Sequence, residues 1–392
     1  MVIVPQEYEI YDFCPIHRAA NKKDGTVCTH FDYDAIEDNL LKLDILGHDC
    51  PTFIRHFEEL TGEDGRSIPL NDPLTMSIFS STKALGFEND DLIGPIGTVG
   101  IPEYGTRFVR GMLQKTRPST FDELIRIAGL SHGTDVWRGN AEKLIDSGKT
   151  TLREVISARD DIMLYLISKG FPDKQSFAIA QSVRVGKGLT PEWESDMRSA
   201  GIPNWYIESC KAIQYLFPKA HAVAYAMMSA RVAWIKAHRP EVFYAVYFSL
   251  KVDDFNYETC VKDSQAIKFA VRRAEQDKDA TKTDQDKAIV LEAVYEMLLR
   301  GVTFEPLDVH TADARRFAPA GPGRISVPLM AVSGLGETAA NSIVTQRSKG
   351  LFLAEDDLVS RCKGKVTKAH IESLRAAGAL GGMPATAQIV LF

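Results

Sequence analysis

The sequence has 392 residues, of which 45% are hydrophobic and 25% are charged, and its formal net charge is −6. This length suits about two to three folded domains. Without a run of about 18 apolar residues, or a signal-peptide pattern in MVIVPQEYEI, we expect no membrane partner. Six scattered cysteines without a C-x-x-C pair favour a reduced, cytoplasmic protein.

The first 50 residues contain two short β-rich runs, MVIVP and LLKLDIL, which predict strands of a mixed sheet. In the second run Asp44 lies among apolar residues, where an ionised carboxylate needs a partner. An acid on such a strand is typical of divalent-metal sites in nucleotidyltransferases; the alternative is an Asp that caps the next turn. Four residues could also gather around zinc: Cys14, His17, Cys28 and His30. Their spacing is wider than in a zinc knuckle, and ordinary loop residues are the alternative.

From about residue 51 to 250 the pattern is helical. One helix is predicted to end at Gly62, and Ser119 or Thr120 followed by acidic residues predicts a capped helix start. The apolar stretch HAVAYAMMSARVAWIKAHRP predicts a long helix that ends before its proline. Lys219 and His221 lie near its start and suit an anion site, and Arg231 and Lys236 recur along it at helical spacing. The alternative is a core helix with its cations at the rim.

The net negative charge hides two basic segments. Residues 184–239 carry eight Lys or Arg against four Asp or Glu, and residues 324–375 carry eight against five. Phosphate binding depends on local charge, so these segments are compatible with a nucleic-acid partner. Between them, VRRAEQDKDATKTDQDKA predicts exposed helices joined by a loop.

The carboxyl-terminal sixty residues contain a hairpin pattern. In VSGLGETAANSIVTQR (332–347), Gly334 and Gly336 precede a helix, as in a helix-hairpin-helix unit whose backbone approaches a DNA phosphate. A second, degenerate copy is VTKAHIESLRAAGALGG (366–382), and a plain helical hairpin is the alternative. The final QIVLF can enter a hydrophobic pocket as an extended peptide, unless it is a frayed terminus.

Together these stretches resemble one family, the replicative DNA polymerase III alpha subunit of the PolC type found in low-GC Gram-positive bacteria. The resemblance runs through HFDYDAIEDNLLKLDILGHDCPT, IPEYGTRFVRGML, GLSHGTDVWRGNA, ARDDIMLYLISKG, VRVGKGLTPEWESDM, WYIESCKAIQYLFPKAHAVAYAMMSARVAWIKAH and QIVLF. It covers essentially the whole chain and only the carboxyl-terminal part of the family's length.

The resemblance implies an α+β fold that is mostly α-helical. A partial palm sheet of the polymerase-beta-like nucleotidyltransferase type would precede helical fingers and a tandem helix-hairpin-helix DNA-binding domain. On this basis residues 1–50 are the carboxyl-terminal part of the palm and 51–250 are the fingers. Residues 251–382 are the duplex-binding domain and 383–392 are a clamp-binding tail.

The resemblance also implies a polymerase site. Asp44 matches the third palm carboxylate, a ligand of catalytic Mg²⁺, and Lys42 on the same strand face would contact phosphate or primer. The family's other two carboxylates lie in an upstream P-D-x-D motif, so we expect the chain alone to be inactive. The implied partners are primer-template DNA, a dNTP, a sliding clamp and the upstream remainder of the polymerase, in the cytoplasm at the nucleoid.

The remaining site residues fall into three groups. The nucleotide-binding candidates in the fingers are His132, Thr134, Arg159, Arg184, Lys187, Lys219 and His221. The DNA-binding candidates are Gly334, Gly336, Arg347, Lys365 and Lys368. The clamp-binding candidates are Gln388, Leu391 and Phe392.

A second hypothesis remains open, a non-catalytic module that binds DNA and the sliding clamp through the hairpins and the tail alone. The KLDIL run and the fingers stretches favour the polymerase, because a pure binding module has no need of them. The missing P-D-x-D motif favours binding as the behaviour of the chain by itself.

Overall fold

The computed structural model describes residues 1–19, 25–43, 47–88 and 90–386. The chain divides into two compact units, Met1–His48 and Asp49–Phe392. The α+β class with a helical majority, expected from the sequence, is confirmed. No helix within the described ranges is both long and apolar enough to cross a bilayer.

The first unit contains four short strands: β1 (Val2–Ile3), β2 (Ile16–Arg18), β3 (Val27–Thr29) and β4 (Leu41–Lys42). They form two separate antiparallel pairs, β1 with β4 and β2 with β3. The strands predicted at both ends of this unit are therefore present, but the expected mixed sheet is wrong for the described residues. Each ladder has only two or three residue pairs, and the buried apolar cluster of the unit is small: Cys14, Ile36 and Leu40.

The second unit is built mainly from helices. They are α1 (Asp49–Thr61), α2 (Pro73–Ser77), α3 (Arg107–Thr116), α4 (Phe121–His132), α5 (Glu142–Asp146), α6 (Arg159–Ser168), α7 (Asp173–Arg184), α8 (Pro191–Ser199), α9 (Asn204–Ala212), α10 (Lys219–His238), α11 (Pro240–Leu250), α12 (Tyr257–Cys260), α13 (Ser264–Gln276), α14 (Lys282–Leu299), α15 (Glu337–Arg347), α16 (Glu355–Arg361) and α17 (Lys368–Ala376). Three short strands follow α14: β5 (Thr303–Phe304), β6 (Ala318–Pro319) and β7 (Arg324–Ser326). They form a sheet in the order β5-β7-β6, with β5 parallel and β6 antiparallel to β7.

Local sequence signals set several helix ends. The predicted stop of α1 is confirmed, because Gly62 follows its last residue with φ +73°. The predicted cap of α4 is also confirmed: the Thr120 hydroxyl accepts a hydrogen bond from the Glu123 amide, and the Glu123 carboxylate accepts one from the Thr120 amide. Such reciprocal caps satisfy amides that the first helical turn leaves unpaired.

The core of the second unit is centred on α10 and α11. Helix α10 packs against α1, α2, α4, α6 and α11, while α11 packs against β6 and β7. An aromatic cluster joins α11 to the sheet, with the Phe248 ring centroid 5.7 Å from that of Phe317 and 5.8 Å from that of Phe304. One apolar core therefore runs from Phe53 to Leu380. The boundaries placed at 250 and 382 from the sequence lie inside this unit and stay predictions.

Burial at the end of α10 corrects one alternative from the sequence. Lys236 is fully buried, and its ammonium lies 2.6 Å from Glu296 Oε1 and donates to the Val99 carbonyl at 2.6 Å. The Tyr244 hydroxyl donates to the same carboxylate at 2.7 Å. Burial lowers the pKa of Lys236 to about 8, against the raising effect of Glu296. This cation is a core group and not a rim group, so it ties α10 to α14.

Candidate functional site

An extended segment, residues 213–218, joins α9 to α10 and gathers distant parts of the second unit. Thr134 and Tyr215 form a two-residue antiparallel bridge, with the Thr134 amide donating to the Tyr215 carbonyl at 3.0 Å. The Leu216 amide donates to the Arg184 carbonyl at 3.1 Å. Thr134 and Arg184, two of the nucleotide-binding candidates, are therefore hydrogen-bonded through their backbones to the same segment. This segment leads directly into α10.

The first turn of α6 holds the start of α10. The Arg159 amide donates to the Phe217 carbonyl at 3.1 Å. The Asp160 carboxylate accepts a hydrogen bond from the Lys219 amide at 2.8 Å, and the Lys219 ammonium lies 3.7 Å from Asp161 Oδ1. Burial would raise the pKa of Asp160, but the hydrogen bond from Lys219 and the charge of Arg159 hold it below its usual value. An ionised carboxylate at this position stabilises the helix start.

A histidine pair lies beside this helix start. His132 Nε2 is 2.8 Å from the Glu103 carboxylate, and His132 Nδ1 is 2.7 Å from the Ala128 carbonyl oxygen. The hydrogen bond to Glu103 is the main cause of a raised pKa for His132, and burial opposes it. Burial and the nearby His132 lower the pKa of His221. The two imidazoles thus favour different protonation states.

Aromatic rings connect the two histidines. The Phe217 and His221 ring centroids are 4.7 Å apart, and His221 is 4.3 Å from Tyr225. His132 stacks on Tyr225 at 6.1 Å, and Tyr215 meets Phe217 edge-on at 5.4 Å. Tyr215 is 37% exposed, so this side of the cluster meets solvent. Aromatic faces beside cations suit nucleotides, whose bases stack and whose phosphates are anionic.

The turn after α7 lies against the same segment. Gly186 has φ +74°, and a Cβ on it would approach the Gln214 carbonyl oxygen to 2.6 Å. Glycine is therefore required for this close approach. Lys187, the next residue, is exposed, while the Arg184 side chain is partly buried. Lys187 can reach a ligand in solvent without disturbing the turn.

Lys42 and Asp44 belong to the first unit. Lys42 is exposed on β4 opposite Val2, with its ammonium 5.0 Å from the centroid of the Tyr33 ring. Asp44 lies outside the described residues. Among the residues that are described, no three His, Cys, Asp or Glu side chains come close enough to hold a metal ion, whether magnesium or the zinc considered from the sequence.

The first hairpin precedes α15. Gly334 has φ +82°, a conformation that a side chain would strain, and Gly336 is the residue before the first helical turn. Arg347, at the other end of α15, donates to the Val309 carbonyl at 2.9 Å, and burial lowers its pKa. Arg347 therefore ties the end of α15 to the loop that contains Val309, and its contact with DNA stays a prediction.

The second hairpin lies between α16 and α17. Gly364 turns the chain with φ +76°, and the Thr367 hydroxyl accepts a hydrogen bond from the His370 amide at the start of α17. Lys365 and Lys368 are exposed, and within the described part of the chain neither has an ion-pair partner. Exposed, unpaired lysines beside a helix start are suited to phosphate groups.

The clamp-binding candidates Gln388, Leu391 and Phe392 lie in 387–392, outside the described residues, so their assignment stays a prediction.

Reasoning from the sequence missed three acidic residues near the start of α10: Glu103, Asp160 and Asp161. The two aspartates follow Arg159 in the run ARDD, which signals a capped helix start but does not indicate a contact with Lys219. The sequence around Glu103 holds no such signal.

Three family models match successive parts of the chain. Residues 1–47 match the bacterial DNA polymerase III alpha NTPase domain, and residues 50–199 match the finger domain of the bacterial DNA polymerase III alpha subunit. Residues 301–388 match a helix-hairpin-helix motif. The finger-domain match covers helices α1 to α8, and the helix-hairpin-helix match includes both hairpins.

Curated relatives match from end to end. The DNA polymerase III PolC-type of Caldanaerobacter subterraneus subsp. tengcongensis is 48% identical over 394 aligned positions, which include all of this chain and 28% of the relative. The protein of that name from Thermotoga maritima is 48% identical, again over 28% of its length, and that from Bacillus subtilis is 46% identical over 27%. The chain thus spans little more than a quarter of the length of these relatives.

Proposed function

Because the chain belongs to the PolC-type family of DNA polymerase III, we propose that it forms part of a replicative DNA polymerase. The complete enzyme would add dNTPs to a primer 3′-hydroxyl under direction of a template during chromosomal replication. The observation that carries this proposal is the convergence of separate fingers segments on the start of α10, where Lys219 lies between two carboxylates and an aromatic cluster.

The start of α10 would bind the incoming nucleotide. Lys219 and Arg159 would contact the triphosphate, for which a helix start with cations is a suitable receptor. His221 would meet the nucleotide as a neutral ring. The surrounding pocket would be formed or supported by His132, Thr134, Arg184 and Lys187. Closure of this helical region over the nucleotide would exclude water from the reacting groups.

Magnesium requires residues beyond those described. We assign Asp44 to the metal and Lys42 to phosphate or primer, in line with the family resemblance. The described residues hold no acidic cluster of their own and do not by themselves fit a magnesium site. The further carboxylates would come from the upstream remainder of the polymerase, so we derive no step of the reaction through the metal from this chain.

The two hairpins would hold the product duplex by its backbone. Amides at Gly334 and Gly336, with Lys365 and Lys368, would contact phosphate, and Arg347 would support them. Backbone contacts carry no sequence information, so binding should depend strongly on salt and little on sequence. The tail with Gln388, Leu391 and Phe392 would bind a sliding clamp and raise the effective concentration of the enzyme on DNA. With these partners the complete protein would act in the cytoplasm at the nucleoid.

Charge reversal at Lys219 tests the polymerase proposal. In the complete polymerase, Lys219→Glu should raise KM for dNTP or lower kcat by about tenfold or more, with little loss of thermal stability. Lys211→Glu is the matched control, because Lys211 is a surface lysine paired with Glu194 and Glu208. Unchanged kinetics in Lys219→Glu would reject the nucleotide site at α10.

Two further experiments separate the polymerase from the binding module. The purified 392-residue chain should bind duplex DNA without extending a primer, and templated extension by the pure chain would contradict our assignment of missing carboxylates. Deletion of residues 388–392 should abolish capture by a sliding clamp and leave duplex binding intact. Loss of both activities would show that the tail acts through folding.

A further inference from the structure

Glu103 has a strained backbone conformation, and the proposed nucleotide contacts do not explain it. It lies in a tight turn before α3 and adopts φ +66°, a conformation that favours glycine over residues with side chains. Backbone hydrogen bonds hold the turn, because the Gly105 amide donates to the Ile101 carbonyl at 2.8 Å and the Tyr104 amide donates to the Pro102 carbonyl at 2.8 Å. A strained position that nevertheless carries a carboxylate points to a use for that carboxylate.

The carboxylate of Glu103 meets an imidazole whose two nitrogens both face acceptors. His132 Nδ1 lies 2.7 Å from the Ala128 carbonyl oxygen, which can only accept, and 3.1 Å from the Ser131 hydroxyl, which donates to that same carbonyl, so Nδ1 carries a hydrogen. The Glu103 carboxylate, 2.8 Å from Nε2, is also an acceptor, so Nε2 carries a hydrogen too. The geometry therefore favours the doubly protonated, cationic ring of His132, in line with the raised pKa that the hydrogen bond to Glu103 gives it.

The cationic ring lies within the cluster at the start of α10. Its centroid is 5.4 Å from that of Phe217, 6.2 Å from that of His221 and 6.1 Å from that of Tyr225. Glu103, His221 and Tyr225 are the titratable groups that face it in the described structure.

Two other titratable groups lie within the electrostatic influence of Glu103. The Cys50 thiol, whose pKa burial raises to about 12, stays neutral. The Tyr104 phenol, whose pKa burial also raises, stays neutral as well. Neither group therefore adds a charge beside the Glu103–His132 pair.

We propose that Glu103 is a positioning residue, which holds His132 as a cation in one orientation beneath the nucleotide-binding rings. This inference rests on the proposed nucleotide site. His132 then adds a fixed positive charge to that of Lys219, while His221 stays neutral beside it and can donate or accept a hydrogen bond to a nucleotide.

Replacement of the acid by its amide separates charge from geometry. In Glu103→Gln the amide can donate to a neutral Nε2, so the ring keeps its place but loses the partner that raises its pKa. KM for dNTP in the complete polymerase should rise about tenfold over the unmodified enzyme at pH 8, where His132 becomes neutral, and return to within about twofold at pH 6. A ratio of KM values that is constant between pH 6 and 8, at one or at any other value, would overturn the proposal.

A direct readout of the ring removes any dependence on the nucleotide site. Nitrogen chemical shifts of labelled histidines in the 392-residue chain should show that His132 loses its second proton at a higher pH in the unmodified chain than in Glu103→Gln. A neutral His132 at pH 7 in the unmodified chain would overturn the proposal. Should the shifts behave as expected while the KM ratio stays flat and Lys219→Glu remains defective, only the positioning role would fall. Unaltered Lys219→Glu kinetics would remove the proposed function instead.

Glu103→Gly is a second variant, which separates the loss of the carboxylate from a folding defect. Glycine adopts φ +66° without strain, which offsets part of the stability lost with the Glu103–His132 pair, so this variant should stay folded and melt within a few degrees of the unmodified protein. A rise in KM for dNTP in a folded variant is expected, and an unchanged KM would contradict the role of the carboxylate. Glu194→Gln, which removes a surface carboxylate paired with Arg198, is the control that should leave KM unchanged at every pH.

Discussion

The start of α10 and the second hairpin both carry cations, but the two regions pair them differently. Lys219 lies 3.7 Å from Asp161 and donates its amide to Asp160, and the cationic His132 is bound by Glu103. Lys365 and Lys368 are exposed, and no ion pair engages either of them in the described ranges.

The difference fits two kinds of ligand. Cations held by carboxylates have fixed positions, which suits a small ligand whose phosphates must be placed for a reaction. Unpaired lysines on a surface exchange counterions freely, which suits a long polyanion bound at any register. The comparison predicts that substitutions at the two regions change different measurable quantities.

The largest effect that is confined to one region is expected at the second hairpin, on duplex binding. Lys365→Ala with Lys368→Ala should weaken duplex binding by about tenfold near physiological salt and reduce the slope of log K against log salt by about two, one for each phosphate contact. The KM for dNTP at saturating duplex should not change. Lys278→Ala with Lys282→Ala, on the loop and first turn between α13 and α14, is the control with equal charge loss. An equal effect of both pairs on the salt slope would remove the special role of the hairpin.

A smaller effect is expected at α6, on KM for dNTP and not on duplex binding. Arg159→Met should raise KM for dNTP about fivefold, because it removes one of the two side chains that would contact the triphosphate, and leave the salt slope of duplex binding unchanged. Arg198→Met, which breaks a surface pair with Glu194, should do neither. A change of salt slope in Arg159→Met would mean that α6 contacts the duplex. It would contradict the assignment of separate ligands to the two regions.

Backbone shape should matter at the first hairpin. Gly334→Ala forces a side chain into φ +82° and should cost about 1 kcal/mol of folding stability, measured by denaturant unfolding, and weaken duplex binding a few-fold. Gly111→Ala, in the middle of α3 with open space around it, should be neutral or stabilising. Equal stability of the two variants would show that the turn at Gly334 is adaptable.

Acid should loosen the region of α4. Burial would raise the pKa of Glu123, but hydrogen bonds from the Ser119 amide and from Arg153 hold it at about 2. Because this pKa is lower in the folded chain than in the unfolded chain, the contribution of Glu123 is complete above about pH 4.5 and disappears as pH falls towards 2. Glu123→Gln should lower the free energy of unfolding at pH 7 by about 1–2 kcal/mol and by less at pH 3. A loss of equal size at both pH values would exclude this ionisation as the cause.

Much of the fold follows from local signals in the sequence. Gly62 at the end of α1, the Thr120–Glu123 cap of α4 and the glycine hairpin before α15 each depend on residues within one turn of each other. Such short-range patterns set backbone conformation without help from distant contacts, so they could be predicted.

Contacts between distant residues could not be predicted in the same way. The hydrogen bond from Lys219 to Asp160 spans 59 positions. Glu103 and His132 are also far apart in the sequence, on either side of α3. The burial of Lys236 depends on Glu296 from another helix, whereas the periodicity of α10 alone suggested a rim position. Folding brings such partners together, and a single sequence shows only the candidates.

Hydrogen exchange of the complete polymerase on a primer-template duplex, with and without the matching dNTP, tests most directly whether the two regions have separate ligands. We expect added dNTP to protect peptides that contain residues 157–161 and 213–221 and to leave 363–376 unchanged, because the duplex already covers the second hairpin. Protection of 363–376 by dNTP, with no change in 157–161 and 213–221, would contradict the assignment of the nucleotide to the start of α10.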